Sequence, residues 1–100
     1  MFLHIGGDDY VFKDDIVAIL DRDTVKASKD TSALIEKMVE KGLLKNGEVD
    51  DVKTYIITCK RGRNNRGEKQ YYLYTSNIST STLLRRNNRW KQDWRLTKYD

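Results

Sequence analysis

Short apolar runs separated by polar turns predict five β-strands. Residues 6–9, Gly-Gly-Asp-Asp, are typical of a turn between the first two runs. Residues 16–20 are apolar at every position, which favours a central strand covered on both faces. Residues 52–59 alternate, with Ile57 facing one side and Ile56 the other. The predicted strands are residues 2–5, 10–12, 16–20, 52–59 and 71–75.

Residues 31–41 have the clearest helical pattern in the chain. The apolar residues at helical spacing are Leu34, Ile35, Met38 and Val39, and we expect the stripe of Leu34 and Met38 to pack against a sheet. Asp30 is a suitable N-cap, and Gly42 stands where a left-handed C-cap residue is expected.

A final helix is predicted from about residue 81, because residues 79–82 offer several N-cap hydroxyls. One stripe of it would contain Leu83, Asn87, Trp90 and Trp94. Residues 21–29 are polar and are interpreted as a connection. The expected fold class is therefore α+β: a small single domain with a mixed sheet of about five strands, one packed helix and a C-terminal helix.

Charge is distributed unevenly along the 100 residues. Residues 1–59 contain 8 Lys/Arg and 12 Asp/Glu, a net charge of −4, whereas residues 60–100 contain 11 and 3, a net charge of +8. This segregation indicates either a polyanionic partner or head-to-tail self-association. The alternative is that basic residues simply occupy solvated loops and tails.

Two basic segments are the candidate DNA-contacting surface. Residues 60–69 are predicted to form a long hairpin loop, flexible at Gly62 and Gly67, that reaches phosphates. The second segment surrounds Trp90 and Trp94, which either stack on bases or pack back on the protein. The candidate nucleic-acid-binding residues are Lys60, Arg61, Arg63, Arg66, Lys69, Arg85, Arg86, Arg89, Lys91 and Arg95.

Catalytic and cofactor chemistry is poorly supported, so we expect a protein that is not an enzyme and needs no cofactor. Cys59 and His4 are the single cysteine and histidine of the chain, which provides neither a disulfide nor zinc-site spacing. No glycine-rich phosphate loop is present. We expect no membrane partner, because no apolar run reaches transmembrane length. We expect a cytoplasmic location, because the chain has a single cysteine and shows no signal segment. A hard-cation site is a weaker alternative to turn and strand-edge roles for Asp8, Asp9, Asp14 and Asp15.

Three segments resemble a known bacterial family. Residues 2–11 and 15–21, together with residues 79–86 after a tyrosine-rich strand, resemble the RemA/RemB extracellular-matrix regulators, and RemB more closely. The resemblance covers residues 1–86 and leaves residues 87–100 as a basic extension. It implies a small cytoplasmic α+β domain that assembles into a homo-oligomer. For RemA-like members it also implies DNA binding and activation of biofilm-matrix genes.

Two departures from the family affect what can be transferred. RemA-like proteins have an arginine pair before the strand that follows the helix, where this chain has Asp50 and Asp51. The hairpin after Cys59 is also longer and more basic than the family's turn. The leading hypothesis is a DNA-binding regulator of extracellular-matrix gene expression that uses the basic loop and tail. The alternatives are a protein-interaction or assembly module without nucleic-acid binding and, more weakly, an RNA-binding protein.

Overall fold

The computed structural model describes residues 1–47, 49–61 and 67–88, and all five predicted strands are present in it. Residues 80–88 are helical and are named α3. The strands are β1 (Phe2–Gly6), β2 (Asp9–Phe12), β3 (Ile16–Asp21), β4 (Thr54–Arg61) and β5 (Lys69–Ser76), and the other helices are a 3₁₀ turn (Lys13–Asp15), α1 (Arg22–Ala27) and α2 (Lys29–Glu40).

The described strands form two antiparallel sheets, so the prediction of one mixed sheet of about five strands is wrong. β1 and β2 form a two-stranded ribbon, and β3, β4 and β5 form a three-stranded sheet with β4 in the centre. The ribbon buries Leu3, Ile5 and Val11 against Ile56 of β4. It therefore covers a face of the larger sheet instead of extending its edge, because only face-to-face stacking buries this apolar side.

β3 is an edge strand of the three-stranded sheet, not the central strand that its composition predicts. It pairs only with β4 in the described structure, and a register shift lies between Ile16 and Ala18. Val17, at this irregularity, is 57% exposed. A continuous apolar run therefore did not mean burial on both faces here.

The alternation predicted for β4 is confirmed, and it organises two apolar clusters on the two faces of the sheet. Ile56 packs with the ribbon and with Leu83 of α3. Ile57 packs with Ile35 and Met38 of α2 on the opposite face. The three-stranded sheet is thus the middle layer, with the ribbon and α3 on one side and α1 and α2 on the other.

α1 replaces the polar connection that the sequence predicts over residues 21–29. The carboxylate of Asp21 caps it by accepting from the N–H groups of Asp23 at 3.0 Å and Thr24 at 3.3 Å. Val25 is the buried residue of this helix. The prediction failed because six mostly polar residues contain too little apolar periodicity to reveal a helix.

The ends of α2 differ in how well they were predicted. Ser28, not Asp30, is the N-cap, and its hydroxyl accepts from the N–H of Thr31 at 3.2 Å. The predicted left-handed glycine at the C-terminal end of α2 is confirmed, because Gly42 has a φ of +77°. The N–H of Leu43 reaches back five residues to a carbonyl of the last turn at 3.0 Å, as in a Schellman motif.

The buried face of α2 is rotated from the predicted stripe. Ile35 and Met38 face the sheet, whereas Leu34 is 48% exposed. The reason is tertiary: Leu43, after the C-cap, packs into the same cluster as Met38 and helps set which side of α2 meets the sheet.

The predicted C-terminal helix is confirmed over residues 80–88. The hydroxyl of Ser79 caps it by accepting from the N–H of Thr82 at 3.3 Å. Leu83 and Asn87 are buried on one stripe, as expected. Trp90 and Trp94, the other members of that stripe, lie outside the described residues.

Candidate nucleic-acid interface

The basic residues of the β4–β5 hairpin begin inside the strands, not in a loop that starts at residue 60. Lys60 pairs with Gln70 and Arg61 with Lys69 in the antiparallel register. Because side chains alternate along a strand, Lys60 faces the ribbon side of the sheet and Lys69 faces the α2 side. Arg63 and Arg66 lie outside the described residues.

The basic residues of α3 lie next to the ribbon. A guanidinium nitrogen of Arg86 donates to the carbonyl of His4 at 3.4 Å, and the ammonium of Lys13 donates to the carbonyl of Arg86 at 3.2 Å. Arg85 is exposed and donates to the hydroxyl of Thr82 at 3.4 Å. The remaining candidates, Arg89, Lys91 and Arg95, lie outside the described residues.

The structure brings two of the predicted cations, Lys60 and Arg86, to the two sides of the ribbon. Arg86 contacts β1, and Lys60 lines a groove beside β2. No carboxylate of the described residues is within ion-pair distance of either side chain. Lys69, on the other face of the sheet, is not part of this arrangement.

The outward face of the ribbon is aromatic. Phe2 pairs with Phe12, their ring centroids 5.4 Å apart in an edge-on arrangement. His4 pairs with Tyr10, their centroids 4.9 Å apart. Phe2 and Tyr10 are 64% and 58% exposed, so this face covers no part of the described core.

A groove of about 230 Å³, which no pattern in the sequence predicts, lies between the ribbon and β5. Lys45 and Lys60 are its cations and Asp15 is its carboxylate. We call it the aromatic groove, after the rings that line it: Phe2, Tyr10, Phe12, Tyr72 and Tyr74. These rings come from three strands of two sheets, so no local sequence pattern joins them.

Burial raises the pKa of the Tyr74 phenol in this groove. The negative charges of Asp15 and Asp9 and the neighbouring Tyr72 raise this pKa further. Tyr74 is therefore neutral around pH 7 and keeps its hydroxyl proton available for donation.

A second groove, about 440 Å³ in volume, lies on the opposite face beside α2. Lys37 and Lys41 lie at its rim. We call it the apolar groove, and its apolar lining residues are Val17, Leu34, Met38, Leu43, Ile57 and Tyr71. Several of them are exposed, which makes this face suited to contact with another protein surface.

Asp51, one of the two aspartates that precede β4, has an internal role. Asp51 adopts a positive φ of 55°, and its carboxylate lies 3.4 Å from a guanidinium nitrogen of Arg22. The same nitrogen donates to the carbonyl of Val52 at 3.3 Å. This site therefore holds an acidic partner for Arg22 and offers no arginine pair to a phosphate.

The fold and the surface define a small α+β protein with a basic and aromatic face. No protein-family model and no curated protein matches the chain. No helix in the described part has the length and apolar character to span a membrane. Within the same residues, no group of three or more His, Cys, Asp or Glu side chains is arranged to hold a metal ion.

Proposed function

We propose that this protein is a DNA-binding regulator of extracellular-matrix gene expression that acts in the cytoplasm as a homo-oligomer. The observation that supports DNA binding most directly is the pair of cations flanking the ribbon. Lys60 and Arg86 come from distant parts of the chain, and neither is within ion-pair distance of a described carboxylate. The matrix genes and the cytoplasmic location follow from the family resemblance.

The expected energetics are those of phosphate binding with counterion release. Residues 60–100 have a net charge of +8, from 11 Lys/Arg and 3 Asp/Glu. Each phosphate that a cation neutralises releases condensed counterions from the duplex, which makes binding favourable and strongly salt-dependent. Such contacts position a protein on DNA without reading its sequence, so affinity for unrelated duplexes is expected at low salt.

Self-association is supported by the apolar groove. Val17, Leu34 and Tyr71 are 57%, 48% and 42% exposed around one cavity, an arrangement that a monomer leaves in water at a cost. β3 also has an unpaired edge in the described sheet. The same observations favour the second candidate function, an assembly module in which the groove is the working surface and nucleic acid has no role.

A gel-shift titration with two unrelated duplexes at two salt concentrations separates these functions, with light scattering on the same samples. The DNA-binding proposal predicts shifts of both duplexes that weaken steeply as salt rises. A large assembly without any shift at low salt would overturn it in favour of the assembly module. A monomeric mass at high protein concentration would overturn the homo-oligomer.

A variant pair tests whether the flanking cations make the contact. Lys60→Ala with Arg86→Ala should weaken the binding of both duplexes. The control pair, Lys26→Ala with Lys29→Ala, removes the same amount of charge from exposed positions, one in α1 and one in α2. It should weaken binding much less. Equal weakening by the two pairs would mean that overall charge, and not this surface, controls binding.

A further inference from the structure

Two of the five rings that line the aromatic groove are largely exposed to solvent. Phe2 and Tyr10 are 64% and 58% exposed, and the buried residues of the cluster under the ribbon are all aliphatic. Tyr72 and Tyr74 complete the groove from β5. Exposed aromatic rings at the edge of a cavity are typical of a binding surface.

Lys45, one of the two cations of the groove, belongs to a segment that is held along β5. The ammonium of Lys45 lies 4.3 Å from the centroid of the Tyr72 ring. The backbone N–H of Lys45 donates to the carbonyl of Leu73 at 2.9 Å. The next residue, Asn46, exchanges hydrogen bonds with the backbone of Thr75 at 2.7 and 3.0 Å. The segment that bears Lys45 is therefore fixed along β5 before any ligand arrives, which lowers the entropy cost of binding.

The mixture of rings and cations identifies the chemistry of the ligand. Neither Lys45 nor Lys60 is within ion-pair distance of a carboxylate among the described residues, so both charges are available to an anion. Flat rings bind flat faces, and only unpaired bases present their faces, because a duplex buries them in its own stack. A single strand presents base faces and phosphates in alternation along its length. The aromatic groove offers tyrosine rings for the base faces and lysines for the phosphates. Asp15 adds an acceptor for a base amino group.

We propose that the aromatic groove binds single-stranded nucleic acid, with unpaired bases stacked on Tyr10 and Tyr72. The flanking phosphates are contacted by Lys60 and by Lys45, whose ammonium leaves the Tyr72 ring to reach a phosphate and so frees that ring face for a base. This activity goes beyond the proposed duplex binding and does not depend on it. Three of the four residues were not candidates in the sequence, because β2, the segment after α2 and β5 meet only in the folded protein.

The test is a fluorescence-anisotropy titration with labelled oligothymidylate, oligouridylate and a duplex of matched length. Binding of either single strand by the parent protein is expected, and the two strands distinguish a DNA from an RNA preference. Tyr10→Ala and Tyr72→Ala should each weaken single-strand binding by about 5- to 150-fold, the range expected for loss of one stacked base. Tyr10→Phe should retain most of the affinity, because the stacking face remains.

Leu84→Ala is the control. Leu84 is 39% exposed on α3 and lines neither the aromatic groove nor the apolar groove. Its variant should bind single strands like the parent, and thermal melting of every variant verifies the fold. The proposal is overturned if the parent binds neither single strand, or if Leu84→Ala weakens binding as much as Tyr10→Ala. Duplex affinity should survive Tyr10→Ala, so failure of this inference and failure of duplex binding are separate results.

Discussion

Replacement of Leu83 by alanine tests whether α3 packs against the core through this residue. Leu83 is fully buried and packs in one cluster with Leu3, Ile5, Val11 and Ile56. Leu83→Ala removes this packing and leaves a cavity, which costs about 2 to 5 kcal/mol for buried leucines. That is a large part of the roughly 5 to 15 kcal/mol by which a domain of this size is stable. The midpoint of thermal unfolding should therefore fall by roughly 10 °C or more.

The neighbouring leucine provides the control. Leu84 is 39% exposed, and Leu84→Ala makes the same chemical change on the same helix, so the difference in helix propensity cancels. It should change stability by roughly 0.5 kcal/mol. Both variants are measured by circular dichroism melting and by urea unfolding. If the two substitutions lower the free energy of unfolding equally, α3 does not pack against the core through Leu83. The arrangement of this layer described above would then be incorrect.

Two further predictions concern the end of α2 and the groove phenol. Gly42→Ala should lower the free energy of unfolding, measured in urea, by about 1 kcal/mol. The space around Gly42 is open to a Cβ, but its φ of +77° strains any residue that has a side chain. An unchanged free energy of unfolding would contradict this. The raised pKa of Tyr74 means that the folded state holds the phenol proton more tightly than the unfolded state, whose pKa is about 10. The parent should therefore lose stability as pH rises from about 10 through the folded-state pKa, and Tyr74→Phe should lose less over that window; identical pH profiles would refute it.

The sequence predicted the strands well because their signals are local. Alternation along β4 depends only on neighbouring residues, and the structure confirms that Ile56 and Ile57 face opposite sides of the sheet. The packing of the ribbon on a sheet face could not be predicted, because it depends on contacts between residues more than forty positions apart, such as Ile5 with Ile56. The sequence did not predict α1, because Val25 is the one buried residue of this helix and the local hydrophobic pattern is too weak.

The candidate site was predictable only in part, for the same physical reason. Charge is visible in the sequence, and Lys60 and Arg86 were among the predicted residues. Their positions beside the ribbon depend on how α3 and β4 pack, which no spacing reveals. Lys45 and Tyr10 were missed because each is an ordinary surface residue in sequence, and only tertiary structure brings them to one groove.

The most direct measurement of the central claim is the salt dependence of duplex binding. Affinity for one duplex is determined at several salt concentrations for the parent and for the triple variant Arg61→Ala, Arg63→Ala and Arg66→Ala. The backbone of Arg61 ends β4, and Arg63 and Arg66 lie outside the described residues. Each lost phosphate contact removes about 0.9 from the slope of log affinity against log salt concentration.

DNA binding through the basic hairpin predicts a steep slope for the parent and a slope flatter by up to roughly 3 for the triple variant, with weaker binding to all sequences alike. A control variant that removes three charges from exposed positions outside the hairpin should keep the parent slope; its substitutions are Lys26→Ala, Lys29→Ala and Lys53→Ala. An unchanged slope in the hairpin variant would contradict its role as a contact surface, and a parent without affinity at low salt would contradict DNA binding itself.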